Sequence, residues 1–140
     1  NEDEKTYISS FLSDFENVCI KFDINLSLET DLKPKEFLTF LLSINNKKVR
    51  VNYDSGNSAS LGYDFAEETK LYGEKISNIH IKDRKFQGGP VLLGHGDAEL
   101  KKVKNFILSE KYKGIVVFQA FRDCDPIKTF KKKFDYFSKL

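Results

Sequence analysis

Four residues that can coordinate a metal lie at or near the carboxyl ends of predicted β-strands. They are Glu29, Asp54, His80 and Gln119. Each alone has an ordinary explanation, because a carboxylate after a strand often caps a helix and a single histidine often belongs to the core. Four such groups at equivalent ends of parallel strands, however, would converge on one point. The sequence therefore predicts one shared site, and its oxygen and imidazole donors favour Mn²⁺, Mg²⁺, Co²⁺ or Zn²⁺ over a thiophilic metal.

The segments that would position these residues alternate between strand and helix patterns. Alternating or continuous apolar residues predict strands at residues 24–29, 49–53, 76–81 and 115–119. Apolar residues at helical spacing predict helices at residues 5–22 and 35–44, and after three expected N-caps, Asp64, Asp97 and Asp125. A strand, a helix and a strand of these lengths form a βαβ unit with parallel strands. We therefore predict a first helix followed by four βα units, without a linker.

Three further predictions concern loops and burial. Serine, glycine and asparagine follow Asp54, so we expect a loop there, and residues 88–96 are expected to form a glycine-rich loop. The apolar run at residues 115–118 predicts a strand that is buried on both faces. The lysines at residues 131–133 are expected on the solvated face of a helix.

The composition is typical of one soluble globular domain. The chain has 140 residues, of which 40% are hydrophobic and 31% are charged, enough to form a core. Its 23 basic and 21 acidic residues give a net charge of +2, so we expect no nucleic-acid partner. No apolar stretch approaches a membrane span and no signal-peptide pattern begins the chain, so we expect a cytoplasmic protein without a membrane partner. Cys19 is expected in the core and Cys124 in an exposed loop, with no disulfide or zinc cluster.

Four motifs lie at the ends of the predicted strands. They are LET at residues 28–30, DSGN at 54–57, IHIKDR at 79–84 with GPVLLGHGD at 89–97, and FQ at 118–119. Together they resemble the C-terminal signature of the xylose isomerase-like sugar phosphate isomerase/epimerase family. The resemblance covers nearly the whole chain and implies that residues 1–140 are the C-terminal half of a (β/α)₈ TIM barrel, comprising its fifth to eighth strands. It also implies one divalent metal at the carboxyl rim of the barrel.

The resemblance implies catalytic roles for two of the strand-end residues. In similar enzymes, the positions of Glu29 and Gln119 are usually two glutamates that bind the metal and move a proton on and off the carbon beside the substrate carbonyl. The metal holds the substrate oxygens and stabilises the enediolate. Glu29 and Gln119 are therefore the expected catalytic residues, and together with Asp54 and His80 the expected metal ligands.

The resemblance also indicates where a sugar or sugar phosphate would bind. The position of Asn57 is often a histidine that touches a substrate hydroxyl, and Arg84 matches a basic substrate-contacting position. We expect Lys82 and His95 to join them, because Lys82, Arg84 and the backbone amides of residues 94–96 can hold a phosphate. The alternative for both basic residues is a salt bridge with Asp83 or Asp97.

Two departures from the family pattern bear on the chemistry. Gln119 can coordinate through its amide oxygen but cannot act as a base near neutral pH, and Asn57 can only hydrogen-bond. Epimerisation with a base on each face of the substrate is therefore weakened, whereas one-base aldose–ketose isomerisation by Glu29 remains possible. We expect a metal-dependent sugar isomerase or epimerase that removes a proton beside a carbonyl and passes through an enediolate.

Two other functions stay open. In a non-catalytic sugar-binding half-barrel, Glu29 and His80 would only hydrogen-bond to sugar hydroxyls. Residues 54–64 are also similar to a segment of endonuclease IV-like apurinic-site enzymes, but that group needs several metal-binding histidines and this chain has only His80 and His95. The nuclease is therefore the less expected of the two.

The start of the chain and the two edges of the predicted sheet suggest a larger assembly. The chain begins with Asn1 and contains no methionine, so we expect it to be a piece of a longer protein. The first and last predicted strands would each have an unpaired edge. We expect these edges to pair with the N-terminal half of the barrel or with another copy of the chain.

Overall fold

A parallel four-stranded sheet forms the centre of the structure. The computed structural model describes residues 2–109, 112–119 and 124–140. The helices are α1 (Glu2–Asp14), α2 (Glu16–Lys21), α3 (Pro34–Ser43), α4 (Ser55–Leu61), α5 (Phe65–Tyr72), α6 (Leu100–Leu108) and α7 (Pro126–Lys139), with a 3₁₀ turn at Gly73–Lys75. The strands are β1 (Leu26–Leu28), β2 (Val49–Asp54), β3 (Ile76–Ile81), β4 (Asp83–Arg84), β5 (Pro90–Val91) and β6 (Ile115–Phe118). Strands β1, β2, β3 and β6 pair in that order and are parallel, which confirms the predicted α/β fold.

The two faces of this sheet differ in chemistry because successive strand residues point to opposite sides. On one face, Val51, Ile79 and Ile81 are buried in a core with apolar residues of the surrounding helices. Complete burial of an aliphatic side chain such as Ile79 contributes roughly 1.5–3 kcal/mol relative to leaving it exposed. The opposite face carries polar residues such as Asn52 and His80, which contact each other.

A bulge between β2 and β3 adjusts the register of this polar face. Val51 is paired with Ile76, but the next residue, Asn52, is paired with Asn78. Ser77 is therefore an extra residue in β3. Its hydroxyl lies 2.8 Å from that of Ser27 in β1, so it points to the polar face, as Asn78 does. Beyond the bulge, Asp54 is paired directly with His80.

Two of the three predicted helix caps are confirmed. The Asp64 carboxylate accepts a hydrogen bond from the backbone N–H of Glu67, and the Asp125 carboxylate accepts one from Lys128. The prediction for Asp97 is wrong. Asp97 accepts a hydrogen bond from the backbone N–H of Phe86 instead, and α6 begins only at Leu100.

The predicted loop after Asp54 is wrong, because α4 follows the strand directly. Asp54 caps this helix by accepting a hydrogen bond from the backbone N–H of Asn57, and Gly62 ends it with a left-handed φ of 73°. The small residues of α4 let it pack closely against the neighbouring segment. A Cβ on Gly56 would lie only 2.8 Å from Cγ of Lys82.

The expected glycine-rich loop at residues 88–96 contains β5, which forms a short antiparallel pair with β4. The buried carboxylate of Asp83 holds the segment that follows. It accepts hydrogen bonds from the backbone N–H groups of Gly94, Gly96 and Ala98 at 2.8–3.0 Å. This long-range anchor explains why the segment has a defined path without a helix or long strand.

Several burial predictions are wrong because one face of the sheet and parts of the helix surface are open in the described structure. Ile115 and Val117 of β6 are 67% and 39% exposed, so this strand is partly buried on one face and exposed on the other. The helix predicted at residues 5–22 is interrupted at Phe15, and most of its apolar stripe is exposed, although Leu12 and Cys19 are buried. Of the three consecutive lysines, Lys133 is buried.

The other local expectations can be stated briefly. Cys19 is buried and Cys124 is exposed, as predicted. Every helix among the described residues is too short or too polar to cross a lipid bilayer.

Candidate metal centre

Three of the four predicted strand-end residues meet at the carboxyl end of the sheet. Glu29 follows β1, Asp54 ends β2 and His80 lies near the end of β3. One potential ligand atom from each lies within 4.8 Å of those of the other two. Nδ1 of His80 lies 3.7 Å from Oε2 of Glu29 and 3.9 Å from Oδ2 of Asp54. These separations suit atoms that each lie about 2.0–2.3 Å from one shared ion.

The carboxylate of Asp54 provides the test of whether a cation fits here. Its side chain is 1% exposed, and Oδ1 accepts a 2.7 Å hydrogen bond from the backbone N–H of Asn57. Oδ2 is buried and has no hydrogen-bond donor among the described residues, although Nζ of Lys82 lies 3.6 Å away as an ion-pair partner. Leaving a buried carboxylate oxygen without a donor is unfavourable. A divalent cation between the three ligand atoms would pair with this oxygen, and two carboxylates with one imidazole suit Zn²⁺, Mn²⁺, Co²⁺ or Mg²⁺.

Gln119 is the fourth predicted residue. It follows β6, the neighbour of β3, and is exposed. Because Val117 is paired with His80, strand alternation puts Gln119 on the same face of the sheet, two residues further along. Among the described residues, no hydrogen bond or ion pair connects Gln119 with the other three. Its predicted roles as a ligand and catalytic residue stay predictions.

Glu29 is the most accessible of the three clustered residues, with a side chain that is 38% exposed. Its two carboxylate oxygens are held by different amides. Nδ2 of Asn52 donates a hydrogen bond to Oε2, and Nδ2 of Asn57 donates one to Oε1. The carboxylate is therefore oriented by the protein while it remains open to a ligand from the polar face.

Asn57 also connects Glu29 with the two basic residues of the β3–β4 segment. Its Oδ1 accepts hydrogen bonds from Nη1 of Arg84 at 2.8 Å and from Nζ of Lys82 at 3.4 Å. Arg84 further donates to the backbone oxygen of Gly88 through Nε and Nη2. The predicted sugar-contacting residues Asn57, Lys82 and Arg84 are thus close together at the edge of the cluster.

The alternative pairing of Lys82 and Arg84 with Asp83 or Asp97 is wrong for the described residues. Lys82 Nζ lies 3.6 Å from Oδ2 of Asp54, whereas Asp97 lies 3.7 Å from Lys85. Asp83 is buried and accepts only backbone donors. The positive charge of Lys82 is therefore directed at the metal cluster.

The predicted phosphate contacts of residues 94–96 are also wrong. The backbone N–H groups of Gly94 and Gly96 already donate to Asp83, and that of His95 donates to the oxygen of Leu92. None of the three amides is therefore available to an anion in this structure. The His95 side chain is exposed and is not part of the metal cluster.

Two asparagines beside His80 were missed in the sequence. Nδ2 of Asn52 lies 3.3 Å from Nδ1 of His80, and Nδ2 of Asn78 lies 3.2 Å from Nε2. Each asparagine lies two residues before a residue of the cluster, Asn52 before Asp54 and Asn78 before His80. The period of two along a strand was therefore the pattern that could have identified them.

The buried carboxyl group of Glu68 connects α4 with α5. Glu68 of α5 accepts hydrogen bonds from the hydroxyl groups of Ser58 and Tyr72. Burial raises the pKa of Glu68, and these two donors partly oppose the rise. Ser58 belongs to α4, the helix that Asp54 caps, so this contact holds α4 against α5.

Comparison with known proteins agrees with this geometry. A family model described as a xylose isomerase-like TIM barrel matches residues 15–140. A search of curated proteins finds no significant match to the chain.

Three similar solved structures show the same fold at low sequence identity. The IOLI protein with a bound zinc atom has a TM-score of 0.77 and 18% identity, over 96% of this chain and 56% of that one. The 3-keto-D-glucoside 4-epimerase YcjR from E. coli has a TM-score of 0.75 and 15% identity, over 99% of this chain and 55% of that one. A xylose isomerase-like TIM barrel protein from Mycobacterium smegmatis in complex with magnesium has a TM-score of 0.75 and 16% identity, over 99% and 51%. The chain thus spans just over half the length of each of these proteins.

Proposed function

The chain belongs to the xylose isomerase-like TIM barrel family, and we propose that it carries the metal centre of a sugar or sugar phosphate isomerase or epimerase. The observation that carries this proposal is the meeting of Glu29, Asp54 and His80 around a buried Asp54 oxygen that has no hydrogen-bond donor in the described part of the chain. The zinc and magnesium found in two proteins of similar fold are consistent with it. The named epimerase among the similar structures supports the reaction class.

The proposed chemistry is the transfer of a proton between neighbouring carbons of the substrate. When bound, a divalent cation would polarise the substrate carbonyl and stabilise negative charge that develops beside it. Glu29 would remove the proton from the carbon next to the carbonyl and return it to the former carbonyl carbon, while the proton of the neighbouring hydroxyl passes to the carbonyl oxygen. Its accessible carboxylate is already oriented by Asn52 and Asn57, so little reorganisation is needed.

The residue after β6 favours isomerisation over epimerisation in this proposal. Epimerisation needs a proton acceptor on one face of the substrate and a donor on the other. Gln119 cannot provide a base, because its amide does not titrate near neutral pH. We therefore assign Glu29 as the single base of an aldose–ketose isomerisation and Gln119 as a neutral oxygen donor to the metal.

The proposed sugar or phosphate contacts lie on the cationic side of the centre. Lys82, Arg84 and Asn57 form one hydrogen-bonded group, which would bind a substrate oxygen or phosphate by charge-assisted hydrogen bonds. His95 is proposed to contact the substrate as well. The apurinic-site nuclease is the poorer alternative, because the cluster in the described residues contains one histidine.

We also propose that residues 1–140 are the C-terminal half of a (β/α)₈ barrel. The outer strands β1 and β6 each have one neighbour among the described strands. On the sheet face that carries Asn52 and His80, the apolar side chains of Ile115 and Val117 in β6 are exposed. Four further βα units, from an N-terminal half or from a second copy, would cover this face and close the sheet.

Metal analysis tests the proposed centre directly. After dialysis against Zn²⁺ or Mn²⁺ and removal of unbound ion, the purified chain should retain a stoichiometric amount of metal. His80→Gln should lose most of it, because the cluster then lacks its imidazole. Asp97→Asn is the matched control, since this carboxylate lies outside the cluster, and it should retain the ion. Failure of the unaltered chain to retain either metal would contradict the proposal.

A further inference from the structure

Two asparagines enclose the imidazole of His80 from both sides. Asn52 of β2 and Asn78 of β3 are paired in the register, and their Nδ2 atoms lie 3.3 Å from Nδ1 and 3.2 Å from Nε2 of His80. The Oδ1 atoms of both asparagines are buried, and neither has a hydrogen-bond partner within the described residues. Two amide oxygens without donors next to one imidazole require an explanation.

The hydrogen-bonding capacity of the His80 ring limits how the two asparagine amides can be oriented. A neutral imidazole has one N–H group and one nitrogen lone pair, so it cannot accept from an NH₂ group at both nitrogens. One of the two amides must therefore present its oxygen to the ring. An asparagine amide exchanges its oxygen and nitrogen by a half-turn, and the two orientations are distinguished by their hydrogen bonds.

Asn52 is fixed in its orientation by a second contact. Its Nδ2 also donates to Oε2 of Glu29, and a half-turn would bring Oδ1 against that carboxylate oxygen. Among the described residues, the only hydrogen-bond partner of the Asn78 side chain is His80. Asn78 is therefore the residue whose amide can be turned, and a half-turn would put Oδ1 in the place of Nδ2, where it would accept a hydrogen bond from Nε2–H.

We propose that Asn78 is a positioning residue that fixes His80 in the Nε2–H tautomer. The unprotonated Nδ1 is then the ring nitrogen on the side of the two carboxylates, 3.7 Å from Oε2 of Glu29 and 3.9 Å from Oδ2 of Asp54, and a cation bound there would replace its hydrogen bond from Asn52. A histidine binds a metal through its unprotonated nitrogen. In this tautomer Nδ1 is therefore already able to coordinate a cation in the metal-free chain. The inference rests on the proposed metal-binding function for its purpose, but the tautomer is a property of the metal-free chain.

Nitrogen NMR of the metal-free chain tests the tautomer. In ¹⁵N-labelled protein, at a pH where the ring is neutral, long-range couplings between ring protons and nitrogens distinguish Nε2–H from Nδ1–H. The unaltered chain should show Nε2–H at His80. Asn78→Leu, which has a similar size but no acceptor, should show an increased Nδ1–H population. An Nδ1–H majority in the unaltered chain, or an identical tautomer ratio in Asn78→Leu, would overturn the inference.

Zinc affinity gives a second measurement. Asn78→Leu should bind Zn²⁺ roughly 10–100-fold more weakly, the loss typical of removing a hydrogen-bond partner of a metal-binding histidine. Asn78→Asp keeps an acceptor for Nε2–H and should bind within a few-fold of the unaltered chain. Asn25→Leu, at an exposed asparagine outside the cluster, is the control for loss of an amide.

The two measurements separate this inference from the proposed function. If the unaltered chain binds no Zn²⁺ but shows the Nε2–H tautomer and its loss in Asn78→Leu, the tautomer assignment holds and the metal function is wrong. If Zn²⁺ binds equally to the unaltered chain and to Asn78→Leu, the positioning role of Asn78 is wrong while the metal function holds.

Discussion

Asp54 and His80 are paired directly across β2 and β3, and Oδ2 of Asp54 lies 3.9 Å from Nδ1 of His80. The other oxygen of the same carboxylate caps α4 by accepting the backbone N–H of Asn57. Asp54 therefore connects the proposed metal centre with the start of a helix, and its two oxygens have separable roles.

The first prediction separates these roles by substitution. Asp54→Asn keeps one oxygen for the cap but loses the charge, so Zn²⁺ affinity should fall at least about tenfold while the melting temperature changes little. Asp54→Ala should lose the cap as well, at a cost of roughly 1 kcal/mol in the free energy of unfolding. Zinc titration and thermal unfolding measure the two effects. Asp64→Asn, at the cap of α5, is the control, and unchanged Zn²⁺ affinity in Asp54→Asn would exclude Asp54 as a ligand.

A second prediction concerns the base. Glu29→Gln should abolish the exchange of solvent deuterium into the carbon beside the carbonyl of a sugar substrate, because an amide cannot accept that proton. Metal retention should remain, since the amide oxygen can still coordinate. The measurement uses the complete assembled protein with Mn²⁺ and a panel of ketoses and their phosphates. Asp31→Asn is the control at a nearby exposed carboxylate, and full exchange by Glu29→Gln would eliminate Glu29 as the base.

The third prediction follows from the buried Glu68. Burial raises its pKa in the folded state above the ordinary value of 4.5, so the folded state holds this proton more tightly than the unfolded state does. The stabilisation from the protonated group is thus complete below pH 4.5 and is lost as the pH rises through the folded-state pKa. Glu68→Gln, which stays neutral, should lack this loss.

Thermal unfolding as a function of pH measures the difference. The melting temperature of the unaltered chain should fall relative to that of Glu68→Gln as the pH increases above 4.5. Glu67→Gln, on the exposed side of the same helix, should follow the unaltered chain. Parallel curves for the unaltered chain and Glu68→Gln would show that Glu68 does not titrate differently in the two states.

The fourth prediction concerns the open face and outer edges of the sheet. Because β6 has only one neighbour among the described strands and Val117 is exposed, the isolated chain should associate with another copy as its concentration increases. Val117→Lys should weaken this association, since it places a charge on the face that must be covered. Sedimentation velocity measures it, with Leu108→Lys, at an exposed residue of α6, as the control. A stable monomer at every concentration would contradict the half-barrel proposal.

The sheet order and the meeting of three strand-end residues were predictable because they depend on local patterns. Strand-length apolar segments alternate with helical ones, and parallel connection then brings Glu29, Asp54 and His80 to one end. The helix α4 was not predictable from its own residues, because serine, glycine and asparagine are weak helix formers. Its stability comes from the Asp54 cap, the left-handed Gly62 and burial against other elements, which are evident only in the folded structure.

Burial was the least predictable property. The apolar sequence pattern of β6 does not depend on whether neighbouring segments cover the strand. Ile115 and Val117 were therefore expected to be buried, but both are exposed. The Asp83 anchor was also invisible, since it depends on contacts with the distant amides of Gly94 and Gly96. Both misses reflect contacts between segments rather than errors about local chain preference.

The bulge at Ser77 means that the site depends on the number of residues in β3 as well as on their identity. The apolar positions Ile76 and Ile79 are three residues apart, and the usual alternation resumes only after them. Without the extra residue, every side chain from Asn78 onward would change to the opposite face of β3, and His80 would enter the apolar layer. Deleting Ser77 should therefore damage the centre more than replacing it, so this part of the chain tolerates changes of sequence but not of length.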